Sequence, residues 1–321
     1  MHVRKALGRA LTGIAALGLA LAAQAQEAPK TGKWGAQDEI GAANYLTPEL
    51  ALKAAQLVKT GKVYSLGITV STTTPAFPPR TCAIYIVQPG QVGSATGLGP
   101  THTTYNDDIL NCWNGIGTQL DGLGHIGVGD TYYNGNKWAD IASMGGLKKL
   151  GIEKVPPLVA RGVLLDMAAH YGTDVVKEGT PFNKAEIDEV AKKQGVEIRQ
   201  GDVVIFHTGW LSLIDKDPKR FGSVEPGLGR DGARHLVSLG VVAVGADTWA
   251  VEAIPFEKDG DKDGGVFGVH QILLPMSGTY ILENINTAEL AKDKAYEFLF
   301  VLGANKYQGA VQSMINPVAI R

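Results

Sequence analysis

Several things are scarce in this sequence. Cysteine occurs only at Cys82 and Cys112, with no C-x-x-C pattern, which excludes a cysteine-rich zinc site and a dithiol redox motif. Neither sign of charge dominates: the formal net charge of -2 gives no electrostatic footprint for a polyanion, and nucleic acid is not an expected partner. No G-x-S-x-G is present, so a serine hydrolase would lack its nucleophile elbow. There is no internal repeat and no long linker. Beyond the start of the chain, no segment reaches the roughly 18 uninterrupted apolar residues of a membrane-spanning helix.

What is there suits a soluble globular protein: 45% hydrophobic and 19% charged residues in 321, enough for a sizeable core. The first 25 residues read as a separate polymer. Arg4, Lys5 and Arg9 precede an apolar stretch from Leu11 to Ala23, and Ala23-Gln24-Ala25 is a small-x-small cleavage pattern. This predicts a signal peptide cleaved after Ala25, with an uncleaved membrane anchor as the alternative. Residues 26–321 then form one domain, periplasmic or secreted. In such a compartment a Cys82–Cys112 disulfide and two separate buried thiols are both allowed.

Four helices are signalled. Thr47-Pro48-Glu49 opens one that Gly61 closes. Asn183 and Glu186 form a capping box for a helix through Gln194, with Gly195 as its stop. Asp231 to Leu239 is amphipathic and ends at Gly240, and Asn286 with Glu289 caps a fourth. Short apolar runs at 162–165, 203–206, 241–244 and 298–302 read as buried strands, with further strands at 63–70 and 84–87. Their alternation with helices predicts the α/β class. The acidic run Asp259–Gly264 matches half of a calcium loop, D-x-D-x-D-G. The twelfth position is His270 rather than a glutamate, which favours a solvated loop.

The stretch "GTQLDGLGH", Gly117 to His125, poses a choice. Gly122 to Gly127 matches G-x-G-x-x-G literally, but no helical pattern follows, so no helix N-terminus is available for a pyrophosphate. Read as an extended segment from Trp113 to Asp121, alternation puts Gly115, Gln119 and Asp121 on one face. Gly122-Leu123-Gly124 then turns the chain and brings His125 beside them. Those donors suit either a divalent metal with a nearby base or a hydrogen-bonded pair ordering a glycine turn. Further on, His270 lies in "GVHQILL" and Glu283 in "YILEN". A carboxylate among apolar residues is costly unless paired or bound to a cation. His207 and Trp210 follow a strand and read as packing residues, and His102 as a surface-loop histidine.

Together, "WGAQDEIGAANYLTPE" from Trp34, "GTQLDGLGH", "RGVLLDM" from Arg161, "GDVVIFHTGW" from Gly201, "GADTW" from Gly245, "HQILL", "YILEN" and "NPVAI" resemble the cyclase family of metal-dependent hydrolases, which includes bacterial kynurenine formamidase and isatin hydrolase. The resemblance runs from Trp34 to the C-terminus and implies a swivelling β/β/α-type single domain, a mixed sheet with flanking helices. Laid on the family motif H-x-G-T-H-x-D-x-x-x-H, Gly115 and Gln119 stand where relatives place histidines, while Asp121 and His125 match. The resemblance implies a metal, zinc or manganese, on Asp121, His270 and Glu283, with Gln119 touching the metal, its water or the substrate. It further implies His125 as general base and acid, Trp34 as a pocket wall, and a homodimer or larger oligomer. The expected function is hydrolysis of a small amide, lactam or lactone. The alternatives are a lyase or cyclising enzyme on the same scaffold, and a non-catalytic binding protein.

Overall fold

Three of the four apolar runs, 162–165, 203–206 and 241–244, enter the parallel centre of a large mixed sheet, while 298–302 becomes an antiparallel strand beside it and 280–283 supplies the fourth parallel strand. The computed structural model describes residues 29–87, 97–258 and 265–321. The expected signal peptide and the acidic run 259–264 lie outside the described residues. The strands are β1 Val63–Ser65, β2 Cys82–Val87, β3 Asp107–Cys112, β4 Gln119–Asp121, β5 Leu158–Asp166, β6 Pro181–Phe182, β7 Val203–His207, β8 Gly227–Leu228, β9 Ala243–Ala246, β10 Tyr280–Glu283, β11 Glu297–Leu302, β12 Gln312–Met314 and β13 Val318–Ile320. The helices are α1 Pro48–Ala55, α2 Trp138–Ile141, α3 Met167–Tyr171, α4 Lys184–Gln194, α5 Pro218–Phe221, α6 Arg230–Leu239, α7 Gly268–Leu273 and α8 Ala288–Lys292.

Nine strands pair in the order β1-β13-β11-β5-β7-β9-β10-β4-β12. Strands β5, β7, β9 and β10 are parallel, and the outer pairings are antiparallel. Parallel strands need cover on both faces, and Val203 to Phe206 are accordingly fully buried. Helices α1 and α4 pack against β5, α7 against β10, and α6 between α4 and α7. The expected α/β class, a mixed sheet with flanking helices, is what the chain forms. At Gly162 a Cβ would meet the Phe298 ring at 2.1 Å, so the missing side chain lets that aromatic lie across β5. No helix among the described residues is long and apolar enough to cross a membrane.

The sheet curls strongly. Strands β12 and β13 stand seven places apart in its order, about 34 Å if flat at the usual strand spacing. Yet only residues 315–317 separate them, a link that reaches about 14 Å at most. The two edges must therefore approach one another.

Several local expectations change. The first helix ends at Ala55, well before Gly61, because Gln56 already leaves the helical ladder. The strand at 63–70 stops at Ser65, where pairing with β13 ends. The extended reading of 113–121 shrinks to Gln119–Asp121, since Gly117 adopts φ +67° and bends the approach. The last helix begins at Ala288 with Thr287 at its N-cap and no side-chain cap, so Asn286 does not cap it. The Asn183–Glu186 capping box and the left-handed Gly195 stop are present as read. Cys82 and Cys112 are joined by a disulfide across the separate hairpin β2–β3.

Candidate metal centre

The site grows from three neighbouring strands. In the β10–β4 register Glu283 faces Gln119 and Ile281 faces Asp121; in the β12–β4 register Gln312 faces Asp121. Gln119 and Asp121 are two residues apart, so alternation puts both side chains on one face. The Gln119 amide donates to Glu283 Oε2 and lies 3.5 Å from Asp121 Oδ1. Gln312 Nε2 donates to Asp121 Oδ1 at 2.7 Å.

Helix α7 supplies His270 from above β10. Its Nε2 lies 3.3 Å from Glu283 Oε1 and 3.8 Å from Asp121 Oδ2. Its Nδ1 is held at 2.6 Å by Glu252, which also accepts from the backbone N–H groups of Val269 and His270. Glu252 thereby fixes the ring so that Nε2 faces the two carboxylates. The segment bearing Glu252 is tied down in turn by fully buried Glu225, which accepts from the N–H groups of Trp249 and Ala250 at 2.8 and 3.0 Å.

His125 arrives through the expected turn: its N–H donates to the Gly122 carbonyl at 3.0 Å. Its Nε2 then stands 3.8 Å from Asp121 Oδ2, with the side chain 17% exposed. The structure thus brings Gln119, Asp121, His125, His270 and Glu283 together. Trp34 is set edge-on against Tyr45, with the Lys33 ammonium over its ring. No hydrogen bond or ring contact joins Trp34 to the cluster among the described residues. His102 lies in an exposed loop with φ +51°.

The electrostatics ask for a cation. One ligand atom each from Asp121, His270 and Glu283 lies within 4.8 Å of the others, and all three residues are buried. Asp121 Oδ2 and Gln119 Oε1 are buried acceptors with no hydrogen-bond partner, which is costly in an apolar interior unless a cation or donor meets them. Burial and the Asp121 charge push the Glu283 carboxyl up to about 7, against the pull of His270 and Arg80. Burial disfavours the His270 cation, but hydrogen bonds to Glu252 and Glu283 outweigh it and lift the imidazole to about 10. A divalent ion would compensate the two carboxylates, which with one imidazole form a donor set suited to such an ion. Burial lowers the His125 pKa, assisted by His270 and Arg80 and opposed by Asp121.

Three contributors escaped sequence reasoning: Glu252, Gln312 and Arg80. Glu252 carried the same signal as Glu283, a carboxylate among apolar neighbours in "AVEAI". Gln312 and Arg80 carried none, because their roles rest on pairing across the fold. Arg80 Nη1 donates to the Gly115 carbonyl at 2.8 Å.

A separate cleft of about 850 Å³ is lined by His207, Asp247, Thr287 and Ser212, among others, and by none of the metal-centre residues. There His207 Nδ1 lies 2.7 Å from Thr287 Oγ1 and 3.4 Å from Asp247 Oδ2.

The Cyclase family model matches residues 64–253. A solved structure described as a novel cyclase is 33% identical and covers 92% of this chain and 100% of its own, with a TM-score of 0.81. Isatin hydrolase A from Ralstonia solanacearum is 17% identical, with 86% of this chain and 98% of that one covered and a TM-score of 0.60. A structure described as a potential metal-dependent hydrolase with cyclase activity is 16% identical, covering 80% and 98%, with a TM-score of 0.51. At that identity the last two likenesses speak to the fold alone. No curated protein matches the chain.

Proposed function

Because this chain belongs to the Cyclase family, we propose that it is a metal-dependent hydrolase of a small amide, lactam or lactone, with Asp121, His270 and Glu283 as metal ligands. The observation that carries this reading is the buried Asp121–His270–Glu283 cluster with its two unpartnered acceptors, Asp121 Oδ2 and Gln119 Oε1. Fold likeness to isatin hydrolases and to a potential metal-dependent hydrolase supports it.

Each side chain then has a task. A divalent ion, zinc or manganese, supplies positive charge that acidifies water and polarises a carbonyl. Glu252 holds His270 in the tautomer whose Nε2 faces the cluster, as the groups behind metal-ligating histidines commonly do. Gln312 occupies one oxygen of Asp121 and leaves the other for the ion. Gln119 steadies Glu283 through its amide and turns its own oxygen inward. His125, its pKa lowered by burial, is neutral at pH 7 and keeps a lone pair. It accepts the proton of the attacking water and returns it to the departing nitrogen or oxygen.

The test pairs metal analysis with turnover. Purified protein is assayed by elemental analysis and against formanilides, fused lactams and lactones, with products identified by mass. His125→Ala should retain metal and lose turnover by roughly 10²–10⁴-fold, whereas Asp121→Ala should lose the metal. Full activity in protein stripped of metal would sink the reading.

Export and oligomerisation belong to the same reading. The Cys82–Cys112 disulfide supports an oxidising compartment for mature residues 26–321. The exposed apolar residues Ile84, Tyr85, Ile86, Ile109 and Leu110 on the β2–β3 hairpin support a homo-oligomer.

A further inference from the structure

Residue 115 has no side chain, and its place is taken. A Cβ there would stand 2.5 Å from Arg80 Nη1, 2.7 Å from Arg80 Cζ and 2.9 Å from Gln312 Oε1. The guanidinium thus fills the volume that any larger residue at 115 would claim. Its hydrogen bond to the Gly115 carbonyl holds it there. From that position a single amide, Gln312, separates it from Asp121, because Gln312 Oε1 faces the Gly115 space while Gln312 Nε2 donates to Asp121 Oδ1.

Two further facts point to a ligand. No carboxylate lies within ion-pair distance of Arg80 among the described residues. The backbone N–H of Arg80 donates to the Phe77 carbonyl at 3.0 Å, a turn that presents an aromatic ring together with the guanidinium. The Phe77 ring stacks on Trp249 at 5.4 Å, and Trp249 Nε1 is a buried donor without a partner.

We propose that Arg80 is the carboxylate-binding residue of this site, its guanidinium receiving the carboxylate that hydrolysis creates next to Asp121. The inference rests on the hydrolase reading. Cleaving an amide, lactam or lactone with water breaks the bond from the carbonyl carbon to nitrogen or oxygen and gives one water proton to the leaving atom. It leaves a carboxylic acid that becomes a carboxylate by releasing the other proton to the leaving amine or to solvent. Negative charge therefore grows on that carbon's oxygens as the bond breaks. A planar fork of N–H donors with fixed charge matches a carboxylate better than any neutral group does.

The experiment uses the protein as purified, with its metal content measured, and two probes of one shape: benzoate and benzamide. Affinities are measured by calorimetry for the natural chain, Arg80→Gln, Arg80→Lys and Gly115→Ala. The natural chain should prefer benzoate by about 10- to 100-fold, the span of a hydrogen bond to a charged group. Arg80→Gln should bring the two probes near parity with metal content unchanged. Gly115→Ala, which leaves Arg80 in the sequence but takes its space, should also shrink the preference, and Arg80→Lys should restore part of it. The proposal is overturned if Arg80→Gln keeps the full preference, if both probes weaken equally, or if the natural chain does not discriminate. Absence of metal would defeat the hydrolase reading instead, while the probe comparison would still report on Arg80.

Discussion

Glu252 supplies no atom to the proposed metal site, yet it orients His270, which is proposed to supply one. Its carboxylate holds His270 Nδ1 at 2.6 Å and accepts two backbone N–H groups of the same helix. Substituting Glu252→Gln keeps the shape but removes the charge that orients the ring. Metal affinity should fall by roughly 10- to 100-fold, the usual cost of losing a partner behind a metal-bound histidine. Competition with a chelator of known affinity would measure it, and an unchanged constant would show that the ring needs no such support. At this scale the sequence was partly readable. Asp121, His270 and Glu283 announce themselves because a charged group in an apolar run must find a counter-charge. Arg80 and Gln312 lie in ordinary surroundings, and only the fold brings them to Gly115 and Asp121.

Elements with local causes were the most readable. Helix α4 has its capping box and its left-handed glycine because short-range geometry alone decides both. The Asn183 side chain also reaches further, accepting from Gly232 N and donating to Glu257. Asn183→Ala should therefore destabilise the protein by at least about 1 kcal/mol, the typical value of an N-cap. Denaturant unfolding would give the number, and a loss near zero would mean that neither the cap nor the α6 contact contributes. Elements with distant causes were less readable. Strand β1 ends at Ser65 because its partner β13 ends at Val318, and nothing near residue 66 announces that limit. Strand β4 is short for a comparable reason. Gly117 bends its approach, while two partners, β10 and β12, hold only Gln119 to Asp121.

Over the whole molecule, the central parallel strands end together in polar residues: Asp166 on β5, His207 on β7, Asp247 just past β9 and Glu283 on β10. Ligands of open α/β sheets gather at such carboxyl ends. The α/β class could be read from the run of apolar segments, but the strand order could not, because strand pairing is non-local. One consequence can be measured as global stability. Burial lowers the His207 pKa, but its hydrogen bond and charge pairing with Asp247 outweigh this and leave it raised. A histidine raised on folding contributes stability that is fully present below its unfolded value, about 6.5, and lost as pH rises through its folded value. The difference in melting temperature between the natural chain and His207→Gln should therefore be larger at pH 5.5 than at pH 9. A difference that grows with pH would show that Asp247 does not hold the protonated ring.

The curl of the sheet bears on how copies of this chain meet. An open nine-stranded sheet would carry two distant rows of unpaired peptide groups, each a template for a passing strand. Here residues 315–317 draw the two margins toward each other, so each hinders access to the other. The last ten residues, with β12 at one margin and β13 next to the other, act as the fastener of that seam. Loss of this tail would remove Gln312 from Asp121, and it would also expose backbone that invites fibrous association.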